Sequence, residues 1–154
     1  MRVVKTRTGR THQTHVKHGA KAYLLVYVRN CGWTTSYAAT VRAWVGEVAP
    51  NGDIPPWKSA SWQQLVQVSA PVPATVAPDA AAGADRIWVF EWTPASAGKN
   101  FALLAEATSA DDPSNIDPLT QLPCATVTAG GAQSSQMPYL VSCDNNLGLV
   151  VVGT

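Results

Sequence analysis

The sequence predicts an all-β protein, an antiparallel β-sandwich. Three observations carry this. Apolar residues recur at every second position in several short runs, Gly, Pro, Asn and Asp turns separate those runs, and no segment holds a helical period. A small antiparallel barrel or jelly roll built from the same strands is the alternative.

The elements follow in order. "YLLVYVRN" (23–30) sets Leu24, Val26 and Val28 on one face and Tyr23, Leu25, Tyr27 and Arg29 on the other, and "NCGWTTS" then breaks it at Gly32. "AATVRAWVGEV" (38–48) alternates Val41, Ala43 and Val45 against Thr40, Arg42 and Trp44. A proline-bounded stretch follows, in which Leu65, Val66 and Val68 mark one short strand, and Pro71, Pro73 and Pro78 hold the remainder to a sheet edge. "DRIWVFEWTP" (85–94) is the clearest strand, with Trp88, Phe90 and Trp92 on one face and Pro94 as its stop. "NFALLAEATS" (100–109) sets Phe101, Leu103, Ala105 and Ala107 against Ala102, Leu104 and Glu106. Residues 110–137 read as a long loop with a short strand at "CATVT", and "LGLVVVGT" closes the chain as a last strand.

At 154 residues the chain suits a single domain with a substantial core. Charged residues are only 14% of it, against about 25% in ordinary globular proteins. A surface with so few charges is easily desolvated against a partner, which favours a member of an assembly. The net charge of +1 hides an asymmetry. Residues 1–21 carry Arg2, Lys5, Arg7, Arg10, Lys17 and Lys21 and no acid, while all ten acids follow. The chain therefore divides into a basic N-terminal arm (1–21) and a single sandwich domain (22–154). Such an arm suits the acidic body of a neighbouring copy, another assembly protein, or nucleic acid. Nucleic acid is not favoured, because no aromatic residue interleaves the cations of residues 1–21. No signal peptide is visible and no run approaches the roughly 18 apolar residues of a spanning helix. A virion or extracellular surface is the favoured location.

The residues that bear chemistry are few. His12, His15 and His18 are the only histidines and recur at every third position. They are candidate metal ligands, but on a strand His15 points away from the other two, and the segment is a poor helix. A polar contact arm, sensitive to pH and salt, is the favoured reading. Cys31 stands in a turn, and Cys124 and Cys143 bracket a Pro/Gly/Ser-rich segment across which they pair or stay as reduced, packed thiols. Asp111, Asp112 and Asp117 suggest calcium, yet lack the spacing of a calcium loop and read as turn formers. No nucleophile elbow, phosphate-cradling loop or H-E-x-x-H motif occurs, so neither an enzyme nor a cofactor is expected. Trp33, Trp57 and Trp62 lie at turns and are candidate partner contacts, with protein favoured over glycan.

"HGAKAYLLVYVRNCGWTTSYAATVRAWVG", "VFEWTPASAGKNFALLAEATSADDP" and "CDNNLGLVVV", in that order, resemble immunoglobulin-like sandwich modules of bacterial surface and secreted proteins. The cell-adhesion-related domains of bacteria are the nearest type. The shared features are a "V-x-V-x-N-x-G" strand and turn, a "W-T-P" strand end, and "N-N" before the last strand. The resemblance covers about residues 18–152 and implies an immunoglobulin-like fold without catalytic residues.

The expected function is thus a non-catalytic structural or interaction protein, one of many copies in a larger assembly such as a virion or capsid surface. The basic arm and aromatic contacts would join the copies. An adhesion-type module binding protein or glycan is the first alternative, and a metal- or nucleic-acid-binding protein acting through the arm is the second. Removing residues 1–18 would separate these readings.

Overall fold

A computed structural model of the chain describes residues 1–9, 11–30, 35, 39–56, 60–71, 75–76, 86–109 and 147–154, with the backbone of 128–129 and 132–133. Its strands are β1 (Arg2–Val4), β2 (Ala22–Val28), β3 (Thr40–Glu47), β4 (Trp62–Gln64), β5 (Val66–Ser69), β6 (Arg86–Trp92), β7 (Asn100–Thr108), β8 (Thr128–Ala129), β9 (Ala132–Gln133) and β10 (Leu147–Gly153). Two antiparallel four-stranded sheets run in the orders β1-β2-β6-β5 and β10-β7-β3-β4, and β8 pairs with β9. Among the described residues there is no helix, and so none long and apolar enough to cross a membrane.

The period-two patterns decide which faces meet. From the first sheet Ala22, Leu24, Val26, Trp88, Phe90 and Trp92 point inward; from the second come Val41, Ala43, Val45, Phe101, Leu103, Ala105 and Val152. These residues form one buried cluster between the sheets, as a β-sandwich requires. Trp92 meets Phe101 across it edge to face, with ring centroids 5.2 Å apart. Burying one such large side chain stabilises by about 1.5–3 kcal/mol, so this layer dominates the fold.

The outward face of the second sheet is buried as well, which alternation alone does not foretell. Trp44, Leu104 and Leu147 form a second cluster, with Ile54, Trp62 and Leu149 against it. The Trp62 ring lies 3.1 Å and Pro55 Cγ 3.0 Å from where a Cβ on Gly46 would sit, so a larger residue there would push these side chains outward. The turn that brings Ile54 over this face is built by Gly52, whose φ is +91°, and by Asn51 and Asp53, which hydrogen-bond one another. On the same face the Arg42 Nε donates to Glu106 Oε2 at 2.7 Å, and the guanidinium lies 5.5 Å from the Trp44 ring centroid.

The N-terminal segment pairs with both sheets of the sandwich. Arg2–Val4 is an edge strand, and Val3, Val4 and Val16 are buried. Residues 12–19 then run back across the side of the sandwich as a strap. The Val3 N–H donates to His12 Nδ1 (3.1 Å) and the Gln13 N–H to Val3 O (2.8 Å), which closes the outer edge of β1. Gly153 N–H donates to Thr14 O and Val16 N–H to Gly153 O, both at 2.9 Å, which ties the strap to β10. The long-range pairing of this three-residue apolar strand outweighs the polarity of the residues around it.

Candidate interaction surface

The outward face of the first sheet gathers three of the six cations expected to make contacts, Arg2, Arg7 and Lys21. Strand alternation brings Tyr23, Leu25 and Tyr27 from β2 to this face, with Ile87, Val89 and Glu91 from β6 and Arg2 and Val4 from β1. The register aligns Arg2 with Leu25 and Leu25 with Val89, then Val4 with Tyr23, Tyr23 with Glu91, and Glu91 with Val66. Val4, Leu25 and Val89 form a buried apolar centre, with Tyr23, Tyr27 and Val68 packed around it. An exposed face of an antiparallel sheet is ordinarily polar. This one is apolar and aromatic.

Cations cover the tyrosines. The Arg2 guanidinium lies 5.3 Å from the Tyr27 ring centroid and that of Arg7 lies 5.9 Å from the Tyr23 centroid, both within cation–π range. Arg2 is the diagonal cross-strand neighbour of Tyr27, which explains its reach. Lys21 bridges to Glu91 at 2.8 Å, and the hydrogen bond and charge of Glu91 raise the Lys21 pKa above its ordinary value. Beside this rim Val66 is 69% exposed and Ile87 is 40% exposed, two of the three exposed large hydrophobic residues among the described residues. The face therefore combines uncovered aliphatic area, aromatic rings and guanidinium groups. That composition is enriched where proteins meet.

The other candidates lie elsewhere. His12 accepts from Val3, His15 contacts Thr14 Oγ1 at 3.3 Å and flanks Gly153, and His18 Nε2 is 3.2 Å from Ala95 O. Each imidazole thus serves a different junction of the strap, and among the described residues no group of three His, Cys, Asp or Glu converges. Lys5 and Lys17 are exposed. Trp62 is half-buried, and its indole N–H donates to the carbonyls of Pro55 and Pro56 at 3.2 Å, so it packs the second sheet. Arg10, Trp33, Trp57, Cys31, Cys124, Cys143, Asp111, Asp112 and Asp117 lie outside the described residues, as does most of the "CATVT" strand.

Sequence reasoning missed the tyrosines and the exposed aliphatics. The signal was present in "AYLLVYV", where Leu25 breaks an otherwise aromatic outward row and shows that both faces of β2 are to be covered. The buried Arg42–Glu106 pair had a similar signal, since β7 is apolar at Ala102 and Leu104 on its supposedly outward face. Compared with protein families, with curated proteins and with solved structures, the chain gives no match.

Proposed function

We propose that this chain is a non-catalytic interaction domain, one copy among many in a larger assembly such as a virion surface. Its contact surface is the outward face of the β1-β2-β6-β5 sheet. The observation that carries this reading is the exposure of Val66 and Ile87 beside tyrosines covered by Arg2 and Arg7. The partner is the acidic part of a neighbouring copy: every acid of the chain lies after residue 21, and the cations of this face come from residues 1–21. The aliphatic area supplies affinity and the guanidinium groups supply orientation and encounter rate.

The fold reading goes with it. The strand orders follow the A-B-E-D and G-F-C pairing of immunoglobulin sandwiches, with β4 as a further strand beside the C position, and this supports an immunoglobulin-like assignment. Such sandwiches host many functions, so the interaction role rests on the surface and not on the fold.

Removing residues 1–18 is the wrong test, because it takes out β1 and three buried valines. Substituting Arg2→Glu together with Arg7→Glu keeps the strand. Sedimentation velocity over a concentration series at low and high salt is the measurement. The wild-type chain is expected to form larger species at low salt that shrink at high salt, and the double variant to lose that salt-dependent step. A wild-type size independent of salt, or a variant that assembles as the wild type does, overturns the proposal.

A further inference from the structure

Four strands end the two sheets, and three of those edges are blunted. The outer edge of β1 is closed by His12 and Gln13. β4 has three residues, and β5 has four with a register shift between Gln67 and Ser69. Short and bulged edges of this kind resist further pairing. β10 is different. It has seven residues, "LGLVVVG", with no charge and no proline, and its register with β7 runs unbroken from Leu147 to Gly153.

The strap shows which way its backbone points. Gly153 exchanges hydrogen bonds with Thr14 and Val16, so its N–H and C=O face away from β7. By strand alternation the N–H and C=O groups of Leu147, Leu149 and Val151 face the same way. Among the described residues none of these three has a hydrogen-bond partner on that side. Val151 is also 43% exposed.

We propose that this edge pairs antiparallel with β10 of a second copy, about a twofold axis through Leu149. Leu149 then meets the partner's Leu149, and Leu147 meets the partner's Val151. Each such pair exchanges two backbone hydrogen bonds, about six in all. Gly148 faces the partner's Val150, so the smallest residue stands opposite a branched one. The second copy fits this edge for two reasons. The strand is uncharged, so self-pairing sets no like charges against each other and desolvates none. The strap occupies the edge at Gly153, so an added strand pairs no further than Val151, and the twofold about Leu149 sets the partner's Leu147 there. The contact is isologous and joins the two second sheets into one continuous sheet. It uses a different surface from the Arg2–Arg7 face, and neither contact needs the other.

High salt isolates this contact, because it weakens the electrostatic one. Sedimentation velocity at high salt is expected to show a dimer, with the Leu149 and Val151 amides protected from hydrogen exchange and exposed again on dilution. Leu149→Pro removes an N–H that points away from β7 and leaves the internal ladder intact. Val151→Lys, at an exposed position, is the second variant should the proline unfold the chain. Either folded variant is expected to dimerise more weakly by on the order of tenfold to a hundredfold. A wild-type chain that stays monomeric at high salt, or folded variants that dimerise as tightly as the wild type, overturns the proposal. Loss of the low-salt species in the Arg2/Arg7 variant with the high-salt dimer retained supports this contact and leaves the other to stand or fall separately.

Discussion

Replacing Glu106 by Ala should be among the most damaging single changes in this protein. Glu106 is 0% exposed and Arg42 is 18% exposed, and they meet at 2.7 Å on a face lined by Trp44 and Leu104. Among the described residues Arg42 Nη2 is buried with no hydrogen-bond partner, and the guanidinium is compensated by the carboxylate at Nε. Removing one member of a buried pair leaves the other charge uncompensated, a loss of about 3–5 kcal/mol. The small residual exposure of Arg42 places the expected loss near the lower end, about 3 kcal/mol. Against a total stability of about 5–15 kcal/mol this is a large fraction. With a urea m-value of about 1–3 kcal/mol/M, the midpoint should fall by about 1–3 M. Tryptophan fluorescence reports the transition, since Trp44 lies beside the pair. Arg42→Met combined with Glu106→Leu should recover more than half of the loss, because the stranded charge is gone. A midpoint shift below about 0.5 M for Glu106→Ala, or a double variant as unstable as the single one, would refute the reasoning.

Three further outcomes are expected. Gly153→Val places a Cβ 3.0 Å from the His15 ring and 3.2 Å from Asn100 Oδ1, so these side chains must give way; the loss should be about 1 kcal/mol by thermal unfolding, and an unchanged melting temperature would show that their packing on Gly153 contributes nothing. His12→Ala removes the acceptor of the Val3 N–H, so the Val3 amide should exchange faster with solvent. Hydrogen exchange at Val3, referenced to the Leu24 amide, checks this, and a ratio equal to that of the wild type would contradict it. Val66→Lys with Ile87→Lys should barely alter folding, yet it removes the open 69% and 40% of two aliphatic side chains from the contact. That corresponds to about 2 kcal/mol, or about thirtyfold in low-salt association, read by sedimentation, with unaltered assembly as the opposing result.

Five strands were legible because their pattern is local. β2, β3, β6, β7 and β10 each repeat an apolar residue at every second position, and the inward sets expected for β2, β3, β6 and β7 are those in the central cluster. β1 was illegible because "RVV" is three residues in a cation-rich segment. Val3 enters the central cluster and Val4 the outer one, so its burial depends on β2 being present. The histidine-bearing strap was missed for the same reason, since its partners Val3, Gly153 and Ala95 are remote in sequence or unsuited to a metal. The cations of residues 1–21 were visible as charge. Their seats on Tyr23 and Tyr27 were not, because β1 must first pair with β2 to bring Arg2 diagonally across from Tyr27.

The two proposed contacts differ in symmetry, and together they define an assembly that neither makes alone. A basic face meeting the acidic part of the next copy is heterologous, and it propagates as an open chain or a ring according to its rotation. A β10 edge meeting its own copy is isologous and closes after two subunits. Combined, dimers are linked through four surfaces, two basic faces and two acidic ones, which permits growth in more than one direction. The two contacts also respond differently to salt. The heterologous contact carries exposed cations and is screened within about 8–10 Å at physiological ionic strength. The edge contact consists of backbone hydrogen bonds and aliphatic side chains and is nearly indifferent to salt. A salt series should therefore dismantle the assembly in steps, with the β10 dimer as the species that remains at high salt. The reverse order, monomers that associate only as salt rises, would place the apolar edge and not the basic face at the head of the assembly pathway.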